Sequence, residues 1–340
     1  CGDDSSTSPD SQVPATNSVP ASSADVGTPD AAISSATVPV DPAAMSSSAT
    51  VVDPVQSSAD PVVASSASVP SDPASYPTEL AYAAAPIEAI PDEDGFYYVA
   101  DVYKAVPTTS KIAFVLRHSE RQSCESQESK LTAEGIAHAV ALGADIGGDE
   151  PFYYTSTDFI RTRETASNIA AGRGETAEVV TWDAINGSYF LKVPQSSFDD
   201  LVGSRGGSWK NMSQFIYGAE VTNKYVAQNI ADYVYDIMPR GNQFVKEIVL
   251  DNMDNWKRVS FLITHDVLIE PLIVYATNRT IDLKFYESQR WANYMSGIAV
   301  VKAEDGTVSL YPVRGYEVGW IGATKSTSTC PEDEAAVAAE

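Results

Sequence analysis

Residues 111–121 read Lys-Ile-Ala-Phe-Val-Leu-Arg-His-Ser-Glu-Arg, and this stretch predicts both a fold class and a site. The apolar run 111–116 is typical of a buried strand in a parallel sheet, and α/β proteins bind ligands where such strands end. Arg117, His118 and Arg121 follow directly. Guanidinium groups bind phosphate oxygens, and a neutral imidazole is a nucleophile near pH 7. A basic surface turn would fit the same residues, so the interpretation needs support from elsewhere in the chain.

Two later segments repeat the pattern of an apolar run followed by polar groups. The run 152–156 precedes Arg161-Thr-Arg-Glu-Thr-Ala166, which opens a predicted helix. The run 259–264 ends at His265 and Asp266. Two of the three histidines of the chain thus stand at predicted strand ends beside charged or hydroxyl groups.

These segments resemble the histidine phosphatase superfamily. That family has Arg-His after its first strand, a Leu-Thr-x-x-Gly helix start, a second arginine in an Arg-[Ala/Thr]-x-x-Thr-Ala helix start, and a late histidine after a buried strand. The chain matches these motifs in order with Arg117-His118, Leu131-Thr132-x-x-Gly135, Arg161-Thr162-x-x-Thr165-Ala166 and His265. The resemblance spans about residues 111–315 and implies a phosphomonoester hydrolase of α/β fold.

The resemblance also implies roles for individual residues. His118 would attack phosphorus and form a phosphohistidine. Asp266 would donate a proton to the leaving group, with Glu120 and Asp183 as alternatives and a helix-capping role for Asp266 as another. The phosphate would be bound by Arg117, Arg121, Arg161 and His265. No cofactor and no metal are implied, and the substrate would be a small phosphorylated molecule.

Two details concern the branch of the superfamily. Arg121 after the first motif and Asp266 after the late histidine favour the acid phosphatase and phytase-like branch over the phosphoglycerate mutase-like branch. Ser119 departs from both, because the family usually has Gly after the nucleophilic histidine. A side chain there restricts the approach of the backbone to phosphate. A catalytically weak protein that binds phosphorylated ligands therefore remains an alternative, as does a mutase.

Residues 1–78 differ in composition from the rest of the chain. They are almost wholly Ser, Ala, Val, Pro and Asp, with no aromatic residue before Tyr76. Such a segment cannot bury enough apolar surface to fold, so we expect a disordered linker. Cys1 with the polar residues after it resembles the mature start of a bacterial lipoprotein. This implies a lipid on Cys1, a membrane anchor and an extracytoplasmic location, unless the chain merely starts at a cysteine.

The charge of the chain limits its partners. It has 46 acidic and 22 basic residues, a formal net charge of −24, and no Lys or Arg precedes Lys104. An acidic chain of this kind disfavours nucleic acid as a partner. An anionic substrate would need a local basic pocket, because the overall field repels it. The sequence contains no apolar run long enough for a membrane-spanning helix.

The remaining chain is predicted to form one α/β domain over 79–325 and a tail over 326–340. Alternating strands and helices predict a doubly wound, mainly parallel sheet with helices on both faces. Strands are expected at 112–116, 152–155, 177–182 and 258–264, with a closing hairpin at 296–303 and 307–313. Helices are expected near 132–145, 159–171, 222–238, 242–252 and 267–276. The aromatic-rich stretch 184–220 is predicted to be a small cap over the pocket that sets substrate choice, or else a packing loop.

The cysteines suggest one covalent link. If Cys1 carries a lipid, Cys124 and Cys330 remain as a pair, and disulfides persist outside the cytoplasm. A bond between them would hold the C-terminal tail against the loop that carries Arg121. Two unrelated thiols are the alternative, because sequence alone does not place the two Cα atoms within bonding distance.

Overall fold

The computed structural model describes residues 72–82, 84–122, 127–202, 207–224 and 226–321. Cys1, Cys124 and Cys330 lie outside these ranges, as do nearly all of the predicted linker and the whole 326–340 tail. The lipid anchor, the extracytoplasmic location and the disulfide therefore stay predictions. Within the described ranges, no helix has the length and apolar character needed to cross a bilayer.

A seven-stranded sheet forms the centre of the domain. Its strands lie in the order β1-β7-β6-β2-β5-β3-β4, and the pairings described are parallel except those of β6 with β2 and β7. The predicted α/β fold with a mainly parallel sheet is confirmed. The strands are β1 (Tyr97–Tyr98), β2 (Lys111–Arg117), β3 (Tyr153–Ser156), β4 (Val179–Thr181), β5 (Val259–Thr264), β6 (Gly297–Lys302) and β7 (Val308–Arg314).

Helices cover both faces of this sheet. Alternate residues of β2 enter different hydrophobic clusters, Phe114 packing with α1, α2 and α3, and Val115 with α4, α5, α6 and α8. This two-sided burial explains why β2 and β5 are apolar without alternation. The helices are α1 (Val99–Ala105), α2 (Ala133–Ile146), α3 (Ile160–Gly172), α4 (Gln195–Val202), α5 (Gly207–Ile216), α6 (Ile237–Gln243), α7 (Asp251–Met253), α8 (Asp266–Ala276) and α9 (Phe285–Ser288).

Helices α2 and α3 lie unusually close together because glycines face the contact. A Cβ on Gly143 would overlap the carbonyl oxygen of Ile169, and a Cβ on Gly172 would overlap that of Val140. At the start of α2, a Cβ on Gly135 would overlap a main-chain carbonyl of the loop after β2. The two helices thus form one packed unit whose amino ends adjoin that loop.

The helix predicted over 222–238 is wrong. The described part of this range contains turns and a 3-10 turn at Ile230–Asp232, and α6 begins only at Ile237. The side chain of Asp236 caps α6 by accepting the N–H of Met238 at 2.9 Å. Pro239 fits the first turn of α6, but it would break a helix that ran through it. The helix predicted at 242–252 continues α6 through a π-helical segment, Phe244–Leu250.

The packed part of the chain includes residues on the linker side of the predicted boundary at 79. The buried Asn242 of α6 donates hydrogen bonds to the carbonyls of Pro77 and Glu79 and accepts the N–H of Ala81. Tyr76 also donates to the carboxylate of Glu247 at 2.8 Å. Residues 76–81 are therefore bound to the helical layer.

Candidate active site

The carboxyl ends of β2, β3 and β5 meet at one edge of the sheet, because the three strands are parallel neighbours. Arg117 of β2 pairs with Thr264 of β5, so His118 and His265 follow side by side. Their ring centroids lie 5.6 Å apart. Arg161, in the first turn of α3, makes hydrogen bonds with both rings. The structure thus brings together four of the predicted site residues.

His118 is oriented by its own loop. Its Nδ1 lies 2.7 Å from the carbonyl oxygen of Ser119, which can only accept a hydrogen bond. The ring proton is therefore on Nδ1, and Nε2 carries the lone pair. Arg161 donates from Nε to this Nε2 at 3.3 Å. Burial, together with Arg117, Arg161 and His265, lowers the pKa of His118 well below 6.5, so the ring is neutral at pH 7.

Arg161 joins the two histidines. Its Nη2 lies 3.4 Å from Nδ1 of His265, and its guanidinium packs 4.3 Å from the centre of the Phe159 ring. Burial and the nearby charge of Arg121 lower the pKa of Arg161 to about 10, which leaves the side chain charged at neutral pH. The site therefore contains a buried cation in contact with the predicted nucleophile.

His265 is held by a chain of hydroxyl groups. Because Arg161 donates to Nδ1, the neutral ring carries its proton on Nε2, which donates to Thr157 Oγ1 at 2.9 Å. Thr157 Oγ1 lies 2.9 Å from Thr162 Oγ1, which donates to the carbonyl of Phe159 at 2.8 Å. Burial and Arg161 lower the pKa of His265 to about 3. Sequence reasoning missed Thr157, although it directly follows β3, where functional groups were expected.

Arg117 is buried and held from several directions. Its Nη1 donates to the carbonyl of Ala292 at 2.6 Å, and its Nη2 lies 3.2 Å from Asp266 Oδ2. The guanidinium packs 4.6 Å from the centre of the Tyr294 ring. Its Nε–H is buried and meets no acceptor among the described residues. A buried donor without an acceptor is costly, and a phosphate oxygen bound at the site would satisfy it.

Asp266 accepts three N–H groups. Oδ2 accepts from Arg117 and from the indole Nε1 of Trp291, each at 3.2 Å, and Oδ1 accepts from the backbone of Val267 at 3.0 Å. Burial raises the pKa of Asp266, but Arg117, His265 and the Trp291 hydrogen bond lower it, and the net direction is down. An ionised carboxylate is the opposite of what a proton donor needs. The predicted role of general acid stays a prediction that these surroundings do not favour.

A match to a family model assigns the chain to a protein family. The model described as histidine phosphatase superfamily (branch 1) matches residues 114–311, more than half of the chain. The chain belongs to the histidine phosphatase superfamily. The match is to branch 1 and gives no support to the acid phosphatase and phytase-like branch. No curated protein sequence matches the chain.

Solved structures with related folds are distant in sequence. A phosphoglycerate mutase from Bacillus anthracis str. Sterne is 16% identical with a TM-score of 0.40, covering 61% of this chain and 94% of that chain. A mycobacterial glucosyl-3-phosphoglycerate phosphatase is 16% identical with a TM-score of 0.36, covering 61% and 100%. An Entamoeba histolytica phosphoserine phosphatase variant with phosphoserine is 15% identical with a TM-score of 0.39, covering 58% and 94%.

Ser119 has a defined place in this histidine phosphatase. Its hydroxyl donates to the carbonyl of Gly135 at 2.8 Å, and its backbone N–H donates to Thr165 Oγ1 at 2.9 Å. Thr165 in turn donates to the carbonyl of Arg161 at 2.7 Å. The side chain that replaces the usual Gly is therefore bound to α2, and the loop is tied to the first turns of α2 and α3.

The sequence also predicts three further residues for the site. Arg121 is half-buried, and its charge contributes to the lowered pKa values of Arg161 and His265. Glu120 is half-buried, and burial and Glu134 raise its pKa. Asp183 is exposed in a 3-10 turn after β4. The described residues show no group of His, Cys, Asp and Glu arranged to hold a metal ion.

Among the described residues of the predicted cap stretch, Gly187 packs directly on the site. A Cβ on Gly187 would lie 3.2 Å from the Cβ of His265, so the main chain packs directly on this histidine. Phe190 and Phe198 are buried in the hydrophobic cluster with α8, and Trp209 stacks on Trp291 at 5.0 Å. Much of the stretch is therefore core. Its role in substrate choice stays a prediction.

Proposed function

We propose that this histidine phosphatase hydrolyses phosphomonoesters through a phosphohistidine on His118. The observation that carries the proposal is the fixed tautomer of His118. The Ser119 carbonyl accepts a hydrogen bond from Nδ1–H, so the lone pair is on Nε2, beside Arg161. Because the pKa of this imidazole is well below 6.5, the nucleophile needs no base to deprotonate it at neutral pH.

The reaction consists of two displacements at phosphorus. Nε2 of His118 attacks in line, the bond between phosphorus and the ester oxygen breaks, and the leaving oxygen takes a proton. Water then attacks the phosphohistidine and gives a proton back to the carboxylate that protonated the leaving oxygen, the P–N bond breaks, and inorganic phosphate leaves. In this proposal the Arg117 Nε–H, which has no acceptor among the described residues, donates to a phosphate oxygen, and the Arg161 N–H groups exchange their hydrogen bonds to the histidine rings for phosphate oxygens. Such donors are the main catalytic contribution expected in phosphoryl transfer.

Two carboxyl groups are candidates for protonating the leaving group. The raised pKa of Glu120 is in the direction that a donor needs. Asp183 is exposed, and its turn is joined to the end of β5 because Thr264 Oγ1 donates to the carbonyl of Ile185. The two variants Glu120→Gln and Asp183→Asn distinguish these candidates. The variant that replaces the true donor should hydrolyse alkyl phosphates far more slowly, with a much smaller effect on p-nitrophenyl phosphate, whose leaving group needs no proton.

Turnover of p-nitrophenyl phosphate by purified protein tests the function, with His118→Asn as the diagnostic variant. We expect a loss of roughly 10³-fold or more, because the nucleophile is removed. His138→Asn is the matched control, since His138 lies on α2 and contacts Glu317. His138 also influences the pKa of Glu120, but p-nitrophenyl phosphate needs no proton donor, so its turnover should not change. Rapid denaturation during turnover should trap acid-labile phosphate on His118. Phosphate on another residue, or full activity in His118→Asn, would contradict the proposal.

A further inference from the structure

We propose that Trp291 and Asp266 form a positioning pair that holds Arg117 in place for the phosphate, with Asp266 acting as a permanent carboxylate rather than as a proton donor. The inference rests on the proposed function and deepens it, since it assigns the histidine-adjacent aspartate a role in phosphate binding. It also adds Trp291, which no motif of the sequence marks.

The first argument is the chemistry of the three groups around Asp266. A guanidinium, an indole N–H and a backbone N–H donate to it, and none of the three can accept a hydrogen bond. Asp266 is also the first residue of α8, where the helix dipole favours a negative charge. The three donors and the helix dipole therefore favour the ionised form.

The second argument is that packing fixes the direction of the indole N–H. Trp291 is fully buried and stacks on Trp209 with an interplanar angle of 11° and a centroid distance of 5.0 Å. Phe285 meets Trp291 edge-on at 6.2 Å. A buried indole N–H needs an acceptor, and Asp266 Oδ2 is that acceptor. Because the indole ring is held by this packing, its hydrogen bond also fixes the orientation of the Asp266 carboxylate.

The third argument is that the same segment fixes Arg117 a second time. The carbonyl of Ala292, next to Trp291, accepts from Arg117 Nη1, while the N–H of Ala292 donates to the buried carboxyl of Glu270 at 2.9 Å. Two of the three guanidinium nitrogens are thus committed to protein acceptors. The third, the buried Nε–H, is left with a fixed direction. A donor fixed before the ligand binds costs no reorganisation in the transition state.

The test compares Asp266→Asn and Trp291→Phe with the control Trp256→Phe. Trp256 is a half-buried indole stacked on Tyr153, before the amino end of β5 and away from Asp266. The measurements are kcat/KM for p-nitrophenyl phosphate and for glycerol phosphate, and the binding of inorganic phosphate. We expect losses of about 100-fold for Asp266→Asn and about tenfold for Trp291→Phe, equal on both substrates, with weaker phosphate binding. The control should match the wild type.

A pH profile separates positioning from simple packing. The charged and titratable groups around Asp266 are Arg117, Arg121, Arg161, His265 and Glu270. Loss of the indole N–H removes one of the contacts that lower the pKa of Asp266, so the acid-side fall of kcat/KM should move to higher pH in Trp291→Phe. An unchanged profile in a folded Trp291→Phe variant would overturn the inference.

The other outcomes are also decisive. A loss in Asp266→Asn that is much greater for glycerol phosphate would show proton donation and overturn the inference while leaving the proposed function intact. If Trp291→Phe does not fold, the kcat/KM losses of Asp266→Asn on the two substrates decide the inference: equal losses support it, and a greater loss for glycerol phosphate overturns it. If the wild type shows no turnover, the proposed function fails, and phosphate binding decides the inference: weaker binding in both variants supports it. Unchanged binding in them, or no binding by the wild type, overturns it.

Discussion

The two sides of the site hold their arginines by different means. On the β2 side, Arg117 contacts a carboxylate, a carbonyl and an aromatic ring. On the β3 side, Arg161 donates to the neutral rings of His118 and His265. Arg117 is in a direct ion pair with Asp266, whose charge also stabilises the Arg161 cation, and Arg161 in addition contacts the nucleophile. The sequence motifs predict the same phosphate-binding role for both arginines. Their removal has different consequences, because only the loss of Arg117 leaves the Asp266 carboxylate without its ion-pair partner.

Replacing each arginine by alanine makes this difference measurable. Both variants should lose about 10²- to 10³-fold in kcat/KM, because each removes a phosphate donor. Arg117→Ala should also lose about 3 kcal/mol of unfolding free energy, since it leaves the carboxylate of Asp266, only 17% exposed, without its ion-pair partner. Arg161→Ala should lose less stability, because it leaves the ion pair of Arg117 with Asp266 in place. Urea unfolding measures both, and equal losses of stability would refute the distinction between the two sides.

A smaller effect is expected from the hydroxyl chain on the β3 side. Thr157→Val removes the acceptor of the His265 Nε2–H, so we expect about a tenfold loss in kcat/KM as the ring loses its fixed orientation. Thr157→Ser retains the hydroxyl and is the matched control. Steady-state kinetics of the two variants decide the point: wild-type activity in Thr157→Val would contradict a role for the hydroxyl, and a loss confined to Thr157→Ser would show that the methyl group is what Thr157 contributes.

The smallest effect concerns the buried carboxyl behind the β2 side. Burial raises the pKa of Glu270 well above 4.5, so the folded protein keeps it protonated while the unfolded chain ionises. Its contribution to stability is complete below about pH 4.5 and declines as the pH rises toward the folded pKa. Glu270→Gln should remove this decline. The check is urea unfolding of both proteins from about pH 4 to pH 8: a stability difference that stays constant with pH would contradict it.

The sequence predicted the parts of the site that follow strands. Apolar runs identify β2 and β5, and the polar residues that follow them, His118 and His265, must then lie at one edge of a parallel sheet. Arg161 was found in the same way, because the start of α3 follows β3. In these cases local periodicity and the direction of the strands are sufficient to place the side chain.

The supporting contacts were not predictable in this way. Trp291 lies in an irregular segment before β6, where no periodicity indicates which way a side chain points. Its contact with Asp266 depends on a stack with Trp209 from a distant helix. Met295, close to Trp291 in the chain, adopts a left-handed backbone conformation with φ of 53°, which only tertiary contacts stabilise in a residue other than Gly. The role inferred from the motif for Asp266 was uncertain for the same reason, since its partners come from elsewhere in the chain.

The glycine contacts between α2 and α3 limit which substitutions can change the geometry of the site. At Gly135, Gly143 and Gly172 main chain packs directly against main chain, with no room for a side chain. This direct contact sets the distance between the His118 loop and Arg161. No choice of side chain at these positions can adjust that spacing by small amounts. Among the described residues, substitutions can reshape the site from the segment 291–294, which contacts Arg117 and Asp266, and from the turn at Gly187, whose main chain packs on His265. If the proposed function holds, substrate preference should change there while the groups that bind phosphate stay in place.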